Sequence, residues 1–151
     1  METSSQPPLL SRPSLWNPNP ACNWSILLTS AFGAFLHHRN WLALGLPDRA
    51  RKAGYWFHGV LAFFIFSALI PDHLIPLPAV TRRAQFILLI LWYFISGREQ
   101  ARYVKQHFPD GYDKKKWGKP LLIGFGALFV YVIYAAIISL IYDELGINPQ
   151  T

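Results

Sequence analysis

The run from Pro120 to Tyr142 constrains the fold of this chain more than any other feature, because it is mostly apolar and contains no charged residue. A helix needs about 20 such residues to cross the hydrocarbon core of a bilayer. Charged residues border the run at Lys119 and Asp143. We therefore expect a membrane-spanning helix over residues 120–142.

Three weaker apolar stretches precede this run. Residues 24–44 are mostly apolar but include Arg39, and residues 54–71 are uncharged. Residues 82–98 are bordered by arginines and are short for a span, but arginine side chains can extend to the headgroup region. We expect a third span there, and the alternative is a re-entrant or interfacial segment.

The overall composition agrees with a membrane protein. Hydrophobic residues make up 52% of the chain and charged residues only 15%, whereas soluble domains have about 25% charged residues. The sequence therefore predicts an all-α fold. We expect a polytopic membrane protein in which four transmembrane helices form a bundle made of two hairpins. The net charge of +6 lies mainly in loops, so we expect no nucleic-acid partner.

The 14 lysine and arginine residues predict the orientation, because short cytoplasmic loops are enriched in both. Eleven of them lie in the loops 37–53 and 98–119. Four spans place both loops in the cytoplasm and both termini outside. The predicted location is the inner (plasma) membrane of a bacterium.

The parts outside the spans have distinct compositions. Residues 1–23 are rich in proline and should form an extended or disordered non-cytoplasmic tail. The membrane domain is expected over residues 24–142, with the third span continuing as an amphipathic cytoplasmic helix to about residue 108. Residues 143–151 form a short acidic tail.

The third loop is a candidate binding surface. Its basic residues form a patch that could bind lipid headgroups or an acidic partner. The alternative is that these residues only set the orientation of the helices in the membrane and anchor the helix ends. The patch consists of Arg98, Arg102, Lys105, Lys114, Lys115, Lys116 and Lys119.

Small residues in the spans indicate close helix packing. Such residues let neighbouring backbones approach, either within the chain or with a partner helix. They are Ser30, Ala34, Gly124, Ala127, Ala135 and Ser139.

Few residues indicate chemistry. All acidic residues lie in tails, in loops or at the ends of spans, which disfavours ion-coupled transport. No pattern of a catalytic nucleophile occurs, and we expect neither a catalytic site nor a cofactor. The only weak candidates for metal or haem ligands are His37, His38 and His58, whose spacing matches no specific motif.

Two motifs resemble those of small multi-pass bacterial membrane proteins. The first is N-W-x-x-L-G-x-P at residues 40–47, and the second is Y-x-K-K-x-W-x-x-P-L at residues 112–121. The resemblance covers roughly residues 25–140 and implies a bacterial inner-membrane location, without an assigned activity.

Three functions remain open on the sequence. The favoured one is a non-enzymatic interaction or accessory component, of an assembly, regulatory or immunity type, which contacts a membrane-protein partner or a second copy of itself. The alternative is an oligomeric channel or transport subunit lined by Gln85, Ser96, Tyr131 and Tyr134. The second alternative is a haem- or metal-dependent membrane enzyme that uses the three histidines.

Overall fold

The computed structural model describes residues 12–71 and 77–147, and most of these residues are helical, in agreement with the predicted all-α class. In chain order, the elements are β1 (Ser14–Leu15), α1 (Pro18–Ala43), α2 (Pro47–Ser67), α3 (Leu77–Trp92), a π-helical segment (Tyr93–Gly97), α4 (Arg98–His107), β2 (Asp113–Lys114) and α5 (Gly118–Glu144).

Helix α1 is folded back on itself at Thr29. The backbone of Thr29 has φ 72° and ψ 159°, which is incompatible with a continuous helix. In a straight helix, Ser25 and Gly33 would lie about 12 Å apart. Here a side-chain carbon added at Gly33 would collide with the hydroxyl of Ser25, so the two residues are in contact. Residues 18–28 and 30–43 are therefore two antiparallel limbs of a helical hairpin.

The hairpin corrects the prediction of one continuous span over residues 24–44. The limbs have lengths of roughly 16 and 20 Å at the helical rise, so neither matches a hydrocarbon core of about 30 Å. The physical reason is the close fit of small residues, because Gly33, Ser25 and Ala34 let the limbs touch. The apolar residues of the hairpin form a cluster of Ala21, Leu28, Phe32 and Leu36.

The ends of α1 follow common capping rules. The side chain of Asn17 accepts a hydrogen bond from the backbone of Asn19, and Pro18 occupies the first turn, where a missing N–H costs nothing. At the other end, Gly45 has φ +70°, which ends the second limb, and Pro47 then begins α2. The helix thus begins six residues before the predicted start of the membrane domain.

Helices α2 and α3 flank the hairpin. Val60 and Phe64 of α2 pack on Ala31, next to the reversal, and Ala50 and Ala53 pack on Trp41 at the end of the second limb. Helix α3 continues through the π-helical segment into α4, which ends at His107, close to the predicted residue 108.

Helix α5 corresponds to the strongest predicted span. Among the described residues, it is the one helix that is long and apolar enough to cross a membrane. Its sides are largely exposed, and it contacts the remainder of the protein along one edge, where Gly124 meets Leu28 and Phe32. The predicted spans over residues 54–71 and 82–98 stay predictions, whereas the first span of the predicted bundle is replaced by the hairpin.

The N-terminal segment is paired with the third loop. Strands β1 and β2 are parallel, with Ser14 opposite Asp113 and Leu15 opposite Lys114. The predicted topology placed residue 14 and the third loop on opposite sides of a membrane, which this contact contradicts. The described part of the predicted tail is ordered, because residues 14–15 pair with β2 and residues 18–23 form the start of α1. Residues 1–11, 72–76 and 148–151 of the predicted tails and second loop lie outside the described residues.

Candidate functional site

A buried polar junction joins the N-terminal segment, the hairpin and α4. The side-chain amide of Asn40 donates to the carbonyl of Trp16 at 2.8 Å and to Oε1 of Gln100 at 3.0 Å, and its Oδ1 accepts from the backbone of Trp16 at 3.0 Å. Gln100 in turn donates to the carbonyl of His37 at 2.9 Å. Asn40 and Gln100 are fully buried, so these bonds replace water contacts that both amides lose on folding.

Trp16 extends this junction to the third loop. Its indole N–H donates to the carbonyl of Lys116 at 3.1 Å, and the ammonium of Lys115 lies 4.4 Å from the centre of its ring. Partial burial and the nearby charge of Arg39 lower the pKa of Lys115. The basic loop is therefore held against the open end of the hairpin by side chains that are far apart in sequence.

Four buried polar atoms make no hydrogen bond of regular geometry among the described residues, although the backbone of Pro18 lies close to one of them, on His37. They are the hydroxyl of Ser30, both ring nitrogens of His37 and the indole nitrogen of Trp92. The rings of His37 and Trp92 lie 5.2 Å apart. Such atoms are uncommon in folded proteins, and each costs free energy relative to a hydrogen-bonded state.

The three histidines proposed as ligands are not brought together. His38 donates from Nδ1 to the carbonyl of Ala50 at 2.8 Å, and His58 donates within α2 to the carbonyl of Gly54 at 2.8 Å. His37 is buried against Trp92. In the part of the chain that the structure describes, no group of three or more His, Cys, Asp or Glu side chains is placed to hold a metal ion.

The predicted basic patch is divided between α4 and the third loop. Arg98 lies over the ring of Phe94 at 5.4 Å, and Arg102 and Lys105 are exposed on α4. Lys114, Lys116 and Lys119 are exposed around β2 and the start of α5, whereas Lys115 is half-buried on Trp16.

The predicted packing residues have different surroundings. Ser30 and Ala34 are buried in the hairpin. A side-chain carbon at Gly124 would lie 2.9 Å from Cδ1 of Leu28, so a larger residue here would displace the side chains of Leu28 and Phe32. Ala127 and Ser139 are exposed, and Ala135 is half-buried.

The suggested channel-lining residues do not form one surface. Tyr131 packs edge-on against Phe64, and Tyr134 donates to the carbonyl of Ile65 at 3.2 Å, so both serve the contact of α5 with α2. Ser96 is buried in the π-helical segment, and Gln85 is half-buried on α3.

A cavity of about 480 Å³ lies between α2 and the continuous element formed by α3, the π-helical segment and α4. We call it the α2–α3 groove. Its size is that of a small-ligand site. The groove is lined by Trp41, Arg49, Lys52, Tyr55, Trp56, Gly59, Val60, Leu88, Ile95, Ser96 and Glu99.

One end of the groove is charged. Arg49 lies between two aromatic rings, 5.1 Å from the centre of Trp41 and 4.8 Å from that of Tyr103. Its Nε is 3.5 Å from a carboxylate oxygen of Glu99. Lys52 lies one helical turn further along the same face of α2 and is exposed.

The other end of the groove is apolar. Val60, Leu88 and Ile95 line it, and Gly59 leaves room because an added side-chain carbon would meet no atom within 4 Å. The π-helical segment supplies Ile95 and Ser96, and such irregular turns are frequent at functional sites. The groove can thus bind a molecule that has one charged and one apolar end.

Sequence reasoning missed the central residues of both sites. Asn40 lay within a predicted span and Gln100 within a basic helix, and their separation in the sequence gives no indication of contact. The charged residues of the groove were identified only as orientation signals, or, for Glu99, as an acidic residue at the end of a span. Their spacing on α2, with residues 49, 52, 56, 59 and 60 on one face, was the available indication.

Comparison of the chain with protein-family models, with curated proteins and with solved structures gives no match.

Proposed function

We propose that this chain is a small integral membrane protein with three crossings and one re-entrant hairpin. Helix α5 supports this, since it has the length and composition of a span. The uncharged part of α2 after Lys52, residues 53–67, is about 22 Å long, and residues 84–97, which follow Arg83, are of similar length. Both are shorter than a hydrocarbon core of about 30 Å, so these two crossings need the flanking lysine and arginine side chains to extend to the headgroup region. Large apolar side chains such as Phe66, Ile87 and Phe94 are exposed on the outer sides of these helices, as suits contact with lipid.

The charges favour a cytoplasmic N-terminus and an external C-terminus. Pairing of β1 with β2 moves Arg12 to the side of the two basic loops. Of the lysine and arginine residues, only Arg82 and Arg83 then lie on the opposite side of the membrane. This distribution agrees better with the positive-inside rule than the distribution in the four-span topology does. The proposed membrane is the bacterial inner membrane, as the resemblance of the two motifs implies.

We infer a non-enzymatic accessory role within that membrane, and the observation that carries it is the exposure of α5. Ile123, Val132 and Leu140 lie on different sides of this helix at about 100° of rotation per residue, and each is more than half exposed. A helix that is apolar all round and touches its own protein along one edge has its remaining surface available for another helix. The partner is a second membrane protein or a second copy of this chain.

In-membrane photo-crosslinking tests this role. A photoreactive amino acid is placed at Ile123, Val132 or Leu140, and as a matched control at Tyr131, which faces Phe64. We expect a discrete protein adduct from at least one exposed position and none from the control. Its mass distinguishes a homodimer from a different partner. Adducts with lipid alone at all three positions would contradict the accessory role.

A further inference from the structure

The α2–α3 groove has an excess of positive charge at one end. The guanidinium of Arg49 is balanced by Glu99, 3.5 Å away. Lys52 has no ion-pair partner among the described residues, so one cation at the rim is uncompensated. An anionic group can bind between Lys52 and Arg49 and leave the pair of Arg49 with Glu99 in place.

The groove continues from this charged end along apolar side chains. Lys52 and Val60 are separated by about 12 Å at the helical rise, and Leu88 and Ile95 form the opposite wall. Tyr55 and Ile95 are exposed at the groove's margins, so the groove opens sideways rather than being enclosed. In the proposed topology the charged end lies at the cytoplasmic surface and the apolar end lies in the bilayer.

We propose that the α2–α3 groove binds an anionic membrane phospholipid, with its phosphodiester at Lys52 and Arg49 and an acyl chain along Gly59, Val60 and Leu88. The two ends match the two parts of this molecule, whereas a soluble phosphate would leave the apolar half unused. A zwitterionic lipid would bring a second cation to a rim whose one carboxylate is already paired. The proposal rests on the membrane location but not on the accessory role.

Two substitutions separate the two ends of the groove. Lys52→Gln removes the uncompensated cation. Gly59→Leu adds an apolar side chain in the apolar half, at a position where its first carbon meets no atom within 4 Å. Arg51→Gln is the matched control, because Arg51 is the neighbouring residue, carries the same charge and pairs with Asp48 outside the groove.

The experiment is native mass spectrometry of the full chain in a neutral detergent, titrated with phosphatidylglycerol. Phosphatidylcholine and phosphatidylethanolamine with the same acyl chains, and free glycerol phosphate, are the other probes. We expect phosphatidylglycerol to bind, with affinity about tenfold lower for Lys52→Gln, as for loss of a charge-assisted contact, and also lower for Gly59→Leu. Arg51→Gln should bind as the unmodified chain does. Circular dichroism verifies that all variants are folded.

Several results would overturn the proposal. Equal binding of the zwitterionic lipids would show that the charge is not used, and equally tight binding of glycerol phosphate would show that the acyl chain is not. Equal losses of phosphatidylglycerol affinity for Arg51→Gln and Lys52→Gln would indicate that the lipid is attracted by the general positive charge of this surface and not by the groove. Recovery of the chain in the membrane fraction of cells is measured separately. A soluble chain would refute the membrane location, whereas a membrane-bound chain that retains no phosphatidylglycerol refutes only the lipid site.

Discussion

The amide of Asn40 donates to the side-chain oxygen of Gln100 at 3.0 Å, 60 residues away and inside a fully buried junction. This bond links the second limb of the hairpin to α4. The same amide holds both backbone groups of Trp16, so the junction fixes the N-terminal segment as well. These few long-range polar contacts therefore determine that the basic loops lie against the open end of the hairpin.

Gln100→Ala should lower the free energy of unfolding by about 1–3 kcal/mol, because it leaves one N–H of the buried Asn40 amide without its acceptor. Gln106→Ala is the matched control, since Gln106 is exposed on the same helix. Denaturation in mixed micelles measures both. Equal stability of the two variants would show that the junction is not formed.

Thr29→Gly should raise stability. A β-branched residue at φ 72° and ψ 159° costs about 1–3 kcal/mol, and glycine removes most of that cost. Thr29→Val keeps the strain and should not be stabilising. The melting temperatures of the two variants in detergent provide the comparison, and a destabilised Thr29→Gly would indicate a regular helix at this position.

Gly124→Ala and Gly126→Ala should have opposite effects, although they lie two residues apart on α5. The first places a carbon 2.9 Å from Leu28 and Phe32, and such overpacking costs about 1–3 kcal/mol. The second meets nothing within 4 Å and should gain about 0.5–1 kcal/mol from better helix propensity. The sign of each change in the free energy of unfolding is the test, and two equal changes would mean that α5 does not pack on the hairpin here.

His37→Phe should leave stability unchanged or increase it. Neither ring nitrogen of His37 makes a hydrogen bond of regular geometry among the described residues, although the backbone of Pro18 lies close to the ring, and an apolar ring of similar shape keeps the contact with Trp92. Thermal denaturation in detergent gives the comparison. A loss of more than about 2 kcal/mol would show that the imidazole is bonded in the folded protein.

The helices were predictable from local sequence, whereas their arrangement depends on distant contacts. Helix α5 extends over residues 118–144, against the predicted 120–142, because its apolar run has charged borders. Helix α4 was predicted from its amphipathic spacing. Pro47 begins α2, where its ring fits the first turn.

The reversal at Thr29 was not predictable by the same rules. Turns are recognised in a sequence by clusters of glycine, proline, asparagine, aspartate or serine, whereas Ser30 beside Thr29 is a single such residue within an apolar run. The turn forms because the small residues of both limbs fit together and because Asn40 binds Trp16 at the open end. The single charge of Arg12 was too little to place the N-terminal segment. The α2–α3 groove likewise requires three helical segments to be brought together.

The most direct test of the hairpin is disulfide crosslinking between β1 and β2 in native membranes. With Cys22→Ser as background, Ser14→Cys is combined with Asp113→Cys, its partner in the strand pair, or with Leu145→Cys at the far end of α5 as control. The structure predicts that mild oxidation links the first pair and not the second. The hairpin would be contradicted if the first pair stays unlinked and a membrane-impermeant thiol reagent labels Ser14→Cys only from the side opposite to Asp113→Cys.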